Sequence, residues 1–80
     1  MSKKLYEKAL AGAAGLRFSE LQRLTEAAGF VLKRIRGSHH VYTRQGVPEI
    51  IDLQPHGKAA KPYQVRQVLA LVKKYAIVIE

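Results

Sequence analysis

Arg34-Ile35-Arg36-Gly37-Ser38-His39-His40-Val41-Tyr42 holds the turn from which the rest of this chain can be placed. Gly37 accepts a positive φ and the Ser38 hydroxyl can satisfy local backbone groups, so the pair makes a tight turn. On either side lie residues suited to extended backbone, and the stretch reads as strand, turn, strand. Cations close the first strand and a histidine opens the second. Imidazole has an unperturbed pKa suited to giving and taking protons near neutrality, which makes His39 the candidate chemical group.

Working outward, Phe30 to Arg36 mixes apolar and basic residues. Regular alternation puts Phe30, Leu32, Arg34 and Arg36 on one face and Val31, Lys33 and Ile35 on the other. Neither face is purely apolar. The second strand, His39 to Thr43, sets His39, Val41 and Thr43 against His40, Tyr42 and Arg44, and alternation leaves open which histidine meets solvent. Gln45-Gly46-Val47-Pro48 reads as a hairpin connection, and Glu49-Ile50-Ile51-Asp52-Leu53 as a third strand with a β-branched centre. Short links join the three runs, which makes an antiparallel meander. Pro and Gly in Gln54-Pro55-His56-Gly57-Lys58-Ala59-Ala60-Lys61 then mark a loop, and a basic one.

A helix is predicted on each side of the meander. Ser19 is the expected N-cap of the first, with Gln22 three residues on as the partner of a capping box and Leu21, Leu24 and Ala28 on the buried face. Gly29 ends that helix as a left-handed cap. Pro62 suits the first position of the last helix, where Val65, Val68, Leu69 and Val72 recur at helical spacing through about Tyr75. Tyr63 and Arg66 sit near its start, where unpaired N–H groups attract anions. Ile77-Val78-Ile79 is expected to add an edge strand or to lie against a second subunit. A short helix over residues 3–11, with Leu5, Ala9, Tyr6 and Leu10 on one face, is stopped by Gly12 and Gly15.

Two helices and one small sheet pack by laying both helices on one sheet face, as in the double-stranded-RNA-binding architecture. The predicted class is therefore α+β: a three-stranded antiparallel sheet with two helices on one face, plus an N-terminal leader helix. Residues 1–17 are read as leader and linker, and 18–80 as the working domain.

Eighty residues allow one domain. Such a chain buries roughly 60 to 65% of its unfolded surface. Its apolar fraction of 48% is that of a globular protein. With no cysteine, disulfides and thiolate metal sites are excluded, which fits a cytoplasmic protein. The start Met1-Ser2-Lys3-Lys4 is basic like a signal peptide's, but the charged Leu5-Tyr6-Glu7-Lys8 stands where an apolar core would be needed, so no membrane role is expected. Fourteen Lys and Arg against six acids give a net charge of +8. A polyanion is the expected partner, nucleic acid first.

The chain resembles the HicA toxins of bacterial toxin–antitoxin pairs, also called YcfA-like proteins. The resemblance rests on Gly29-Phe30 closing the first core helix, on Gly37-Ser38-His39 after a basic strand, and on Lys61-Pro62-Tyr63-Gln64-Val65-Arg66-Gln67 at the last helix. It covers about Phe18 to Val72 and does not extend to the leader. It implies a double-stranded-RNA-binding-like fold, cleavage of messenger RNA, and silencing by a cognate HicB-like antitoxin. The family's essential histidine directly follows Gly-Ser, at His39 here, while His40 occupies a more variable position.

The residues suit that chemistry on their own terms. RNA carries its own nucleophile, the 2′-hydroxyl, so cleavage needs no metal or cofactor if one group removes that proton and cations stabilise the crowded phosphate. His39 is the candidate for the first role. Arg34, Arg36, Lys58, Lys61 and Arg66 are candidates for holding RNA, with Ser38 either bonding a phosphate oxygen or only shaping the turn. Ser-His-Asp hydrolysis is disfavoured because no acid is placed to orient the histidine and Gly-Ser-His lacks the second glycine of a nucleophile elbow. A metal site from His39, His40 and His56 is disfavoured too, since neighbouring strand residues point to opposite faces and no cysteine or nearby carboxylate completes a set. A non-catalytic RNA-binding module of the same fold stays open as the alternative.

Overall fold

The computed structural model describes residues 2–80; Met1, part of the basic N-terminal stretch and of the leader read as 1–17, lies outside the described residues. Six elements follow one another: α1 (Ser2–Ala11), α2 (Phe18–Ala27), β1 (Val31–Arg36), β2 (His39–Arg44), β3 (Val47–Leu53) and α3 (Pro62–Lys74). The strands form one antiparallel sheet in the order β1-β2-β3. The α+β fold expected from the sequence is the one observed.

Helix α2 starts earlier than the Ser19 cap would allow. Arg17 is the N-cap, and the Glu20 carboxylate reaches back to accept its N–H at 2.9 Å. Glu20 thereby takes the role the sequence reading assigns to Gln22. Its carboxyl is held below the usual carboxylate range first by that backbone N–H and then by Lys8, whose Nζ stands 3.0 Å away. The Phe18 N–H is already bound to the Lys58 carbonyl at 2.9 Å, which fixes the backbone there and leaves Ser19 exposed. At the far end Gly29 takes φ +88°, and the Phe30 N–H closes on the Thr25 carbonyl. Helix α3 begins with Pro62 as expected, after Lys61 as N-cap.

The core lies between the helices and one sheet face. Leu21, Leu24, Val65, Val68 and Val72 meet Phe30, Tyr42, Ile51 and Leu53 there. Ala9 of α1 and Leu16 of the connecting segment belong to the same core. Buried polar groups are matched: the Thr25 hydroxyl donates to the Leu21 carbonyl at 2.8 Å, and Gln22 Nε2 donates to the Tyr42 hydroxyl at 3.3 Å. Among the described residues no buried side-chain nitrogen or oxygen lacks a partner.

Two boundaries differ from the sequence reading. The β2–β3 turn is only Gln45-Gly46, with Gly46 at φ +86°, so β3 begins at Val47 and takes Pro48 into an edge strand, where a missing N–H is tolerated. The C-terminal Ile77-Val78-Ile79 forms no strand. After α3 the chain turns at Ala76 (φ +50°), the Ile77 N–H bonds the Val72 carbonyl at 2.9 Å, and Ile79 drops into the core. Closing the helix end and burying Ile79 account for those two residues, while Val78 stays exposed.

Glu49 of β3 clamps the end of α3. Its carboxylate accepts from Lys74 Nζ at 2.6 Å and from the Tyr75 hydroxyl. Those two bonds, Lys74 first, bring its pKa down to about 2 from an ordinary 4.5. A carboxyl depressed in the folded state stabilises fully above its unfolded value and loses that contribution as pH falls through the folded one. The parent should therefore melt above a Glu49→Gln variant at pH 7. Thermal melts should show the gap closing between about pH 4.5 and pH 2.

Candidate functional site

The β1–β2 hairpin turns at Gly37, whose φ of +59° favours glycine and beside which a side-chain carbon would meet nothing within 4 Å. Directly paired residues of antiparallel strands share a face. Arg36 pairs with His39 and Arg34 with Val41, whereas Leu32 pairs with Tyr42 and Ile35 with His40. The register slips between Leu32 and Arg34, so that Lys33 is an extra residue in β1. That bulge separates what regular alternation would mix. Arg34 and Arg36 join His39 on the face away from the helices, and Leu32 and Ile35 join Tyr42 and His40 on the helix side.

Across from Val41, on the same outer face, stands Asp52 of β3. It reaches diagonally to His39, whose Nδ1 lies 3.1 Å from both carboxylate oxygens. This corrects the sequence reading, in which no acid orients the histidine. An ionised carboxylate only accepts hydrogen bonds, so Nδ1 is the donor in this pair and the lone pair of the neutral ring falls to Nε2. The His39 side chain is 52% exposed and that of Asp52 50%, which leaves Nε2 open to a ligand. A hydrolytic triad still does not follow, because Ser38 Oγ makes its hydrogen bond with Gln54 and none with His39.

Ser38 accepts a hydrogen bond on Oγ from Gln54 Nε2 at 3.0 Å. Gln54 in turn accepts from Lys61 Nζ at 3.2 Å, and its backbone N–H is held by the Oε1 of the buried Gln64 at 3.0 Å. A line of bonds thus ties the hairpin turn to the start of α3. Lys61 is thereby placed two hydrogen bonds from the residue before His39.

The remaining candidates lie elsewhere. His40 is on the helix side, its Nδ1 3.0 Å from the Ser38 carbonyl and its ring edge-on to Phe18 with centroids 5.0 Å apart. Together with Arg17, Phe18, Ser19 and Lys58 it lines an open cavity of about 430 Å³. Lys58 is carried there because its loop pairs with the segment before α2, Ala60 N–H to the Leu16 carbonyl at 2.9 Å. Arg66 borders a groove between α1 and α3 with Tyr6 and Leu10, and does not share the face of His39. His56 sits in the exposed loop. Among the described residues, no three His, Cys, Asp or Glu side chains are grouped to hold a metal ion.

Three ion pairs form among the described residues, and none involves Arg34, Arg36, Lys58 or Lys61. Their charge is therefore available to an anionic ligand. A small α+β domain of the double-stranded-RNA-binding architecture, with a carboxylate-held histidine among arginines on its uncovered sheet face, is the class that fold and site define. Residues 18–73 match the family described as the HicA toxin of bacterial toxin–antitoxin pairs, and the chain belongs to that family. Its role is that of the toxin component. No curated protein matches the sequence, and α1 precedes the matched region. No helix among the described residues is long and apolar enough to cross a membrane.

Proposed function

We propose that this toxin is a metal-independent endoribonuclease that cleaves messenger RNA in the cytoplasm with His39 as general base. The observation that carries the reading is the free Nε2 of His39, presented beside Arg34 and Arg36 on the open sheet face. In the step inferred, Nε2 takes the proton of a 2′-hydroxyl and the 2′-oxygen attacks the adjacent phosphorus. The bond to the 5′-oxygen breaks, that oxygen takes a proton from solvent, and a 2′,3′-cyclic phosphate remains. Arg34 and Arg36, with Lys61 nearby, offset the charge that builds on the phosphoryl oxygens. The Ser38 O–H can reach a phosphate oxygen while its lone pair stays with Gln54. Residues 18–80 carry this activity, Lys58 extends the RNA track to the helix side, and Arg66 touches RNA only if the strand wraps around α3. An acidic HicB-like antitoxin is the silencing partner.

Cleavage of a messenger RNA in excess chelator tests the proposal. The products should carry 2′,3′-cyclic phosphate and 5′-hydroxyl ends, and a single 2′-deoxy substitution at the scissile nucleotide should block the cut. Cleavage that needs added metal, or that tolerates the deoxy substitution, would overturn it. Binding without any cutting would instead favour an RNA-binding module of the same fold.

A further inference from the structure

We infer that Asp52 is a positioning residue for His39, fixing the tautomer and aim of the imidazole so that Nε2 serves as the base; this rests on the function proposed above. The first argument is geometric. Nδ1 meets both oxygens of the carboxylate at the same 3.1 Å, so the ring is gripped from one side with its other nitrogen pointing away. The second concerns what holds the holder. Asp52 lies between Ile51 and Leu53, both wholly buried, so its backbone is anchored in the core while its side chain stands outside. The position of the carboxylate is thus set by β3, whose backbone is fixed by the core.

The third argument is one of charge. A face that binds a polyanion through Arg34 and Arg36 gains nothing in affinity from a carboxylate among them, because it repels phosphate. As a source of stability the pair is also poor, since ion pairs whose two partners are half exposed contribute little. What a carboxylate supplies here is control of the proton. Neutral imidazole in water favours neither nitrogen strongly, and a hydrogen bond at Nδ1 selects the form whose Nε2 is basic. Once Nε2 has taken the 2′-hydroxyl proton, the carboxylate also stabilises the imidazolium produced. The role is positional, and Asp52 need not touch RNA.

Loss of Asp52 should therefore slow cutting without weakening binding. In Asp52→Ala, single-turnover cleavage at saturating protein should fall about 10- to 100-fold, the scale on which removing the carboxylate behind a metal-bound imidazole lowers activity. Affinity for RNA should hold or tighten. Ring nitrogen shifts in labelled protein should show the His39 proton leaving Nδ1 as the preferred site, and Asp52→Glu should restore part of the rate. Asp52→Asn, which keeps side-chain volume, serves as the second variant, with melting curves to confirm folding. An unchanged rate in folded Asp52→Ala, or a loss of rate matched by an equal loss of affinity, would overturn the inference. His39→Ala measured alongside separates the two readings. If it still cuts RNA, the proposed function itself has failed. If it is inactive while Asp52→Ala cuts at the parent rate, only the role of Asp52 has.

Discussion

Replacing His39 with alanine should reduce RNA cleavage by roughly 10²- to 10⁴-fold, the usual contribution of a positioned general base. With cutting so reduced, expression of the variant should no longer arrest growth. The fold should survive. His39 is exposed at the start of β2, makes its one side-chain bond to an exposed carboxylate, and has no part in the core. RNA binding should persist as well, because Arg34, Arg36 and Lys61 are untouched. The informative measurement is therefore cleavage and affinity on the same purified variant. A variant that cuts at the parent rate would remove His39 from the chemistry. His40→Ala provides the contrast: that ring faces the helices and bonds the Ser38 carbonyl, so its loss should slow cutting far less.

The second large effect expected is complete loss of bound RNA when the acidic antitoxin proposed above binds. The outer sheet face carries no helix, and its cations lack acidic partners other than the one carboxylate bound to His39. A protein surface of opposite charge can cover Nε2 and neutralise Arg34 and Arg36 in one contact. Titrating an acidic HicB-like antitoxin into the His39→Ala toxin carrying labelled RNA should release the RNA at one equivalent. Antitoxin that binds and leaves RNA in place would point instead to inhibition by distortion or by assembly.

The helices, the meander and the turn at Gly37 are legible in the sequence because each is written locally, in helical spacing, in Gly29 and Gly46, and in Pro62. The site is only half legible. His39 stands out by its chemistry and its turn, yet Phe30 to Arg36 does not say which face its arginines take. One extra residue reverses every later side chain, and nothing in Leu32-Lys33-Arg34 announces that Lys33 is the extra one. Asp52 is hidden for a different reason. It lies 13 positions from His39 and meets it only through strand pairing. Counting back from the Gln45-Gly46 turn does place the two on one face. The four-residue connection read in the sequence is longer than the real one but keeps the same parity, so the face was recoverable and the contact was not. The Ser38–Gln54–Lys61 line is less visible still, since it joins three segments by side chains alone.

The bulge in β1 has a consequence for handling the protein as well as for its site. β1 is a sheet edge whose Val31, Leu32 and Ile35 are exposed, the kind of strand that recruits a second copy and nucleates aggregates. Lys33 interrupts the flat run of pairing groups, and Arg34 and Arg36 set like charges against like in any β1-to-β1 contact. The residues proposed to hold RNA are thus also the ones that guard this edge against self-pairing. Variants that neutralise them to probe binding will expose an unguarded edge, and their losses of activity have to be separated from losses of soluble monomer.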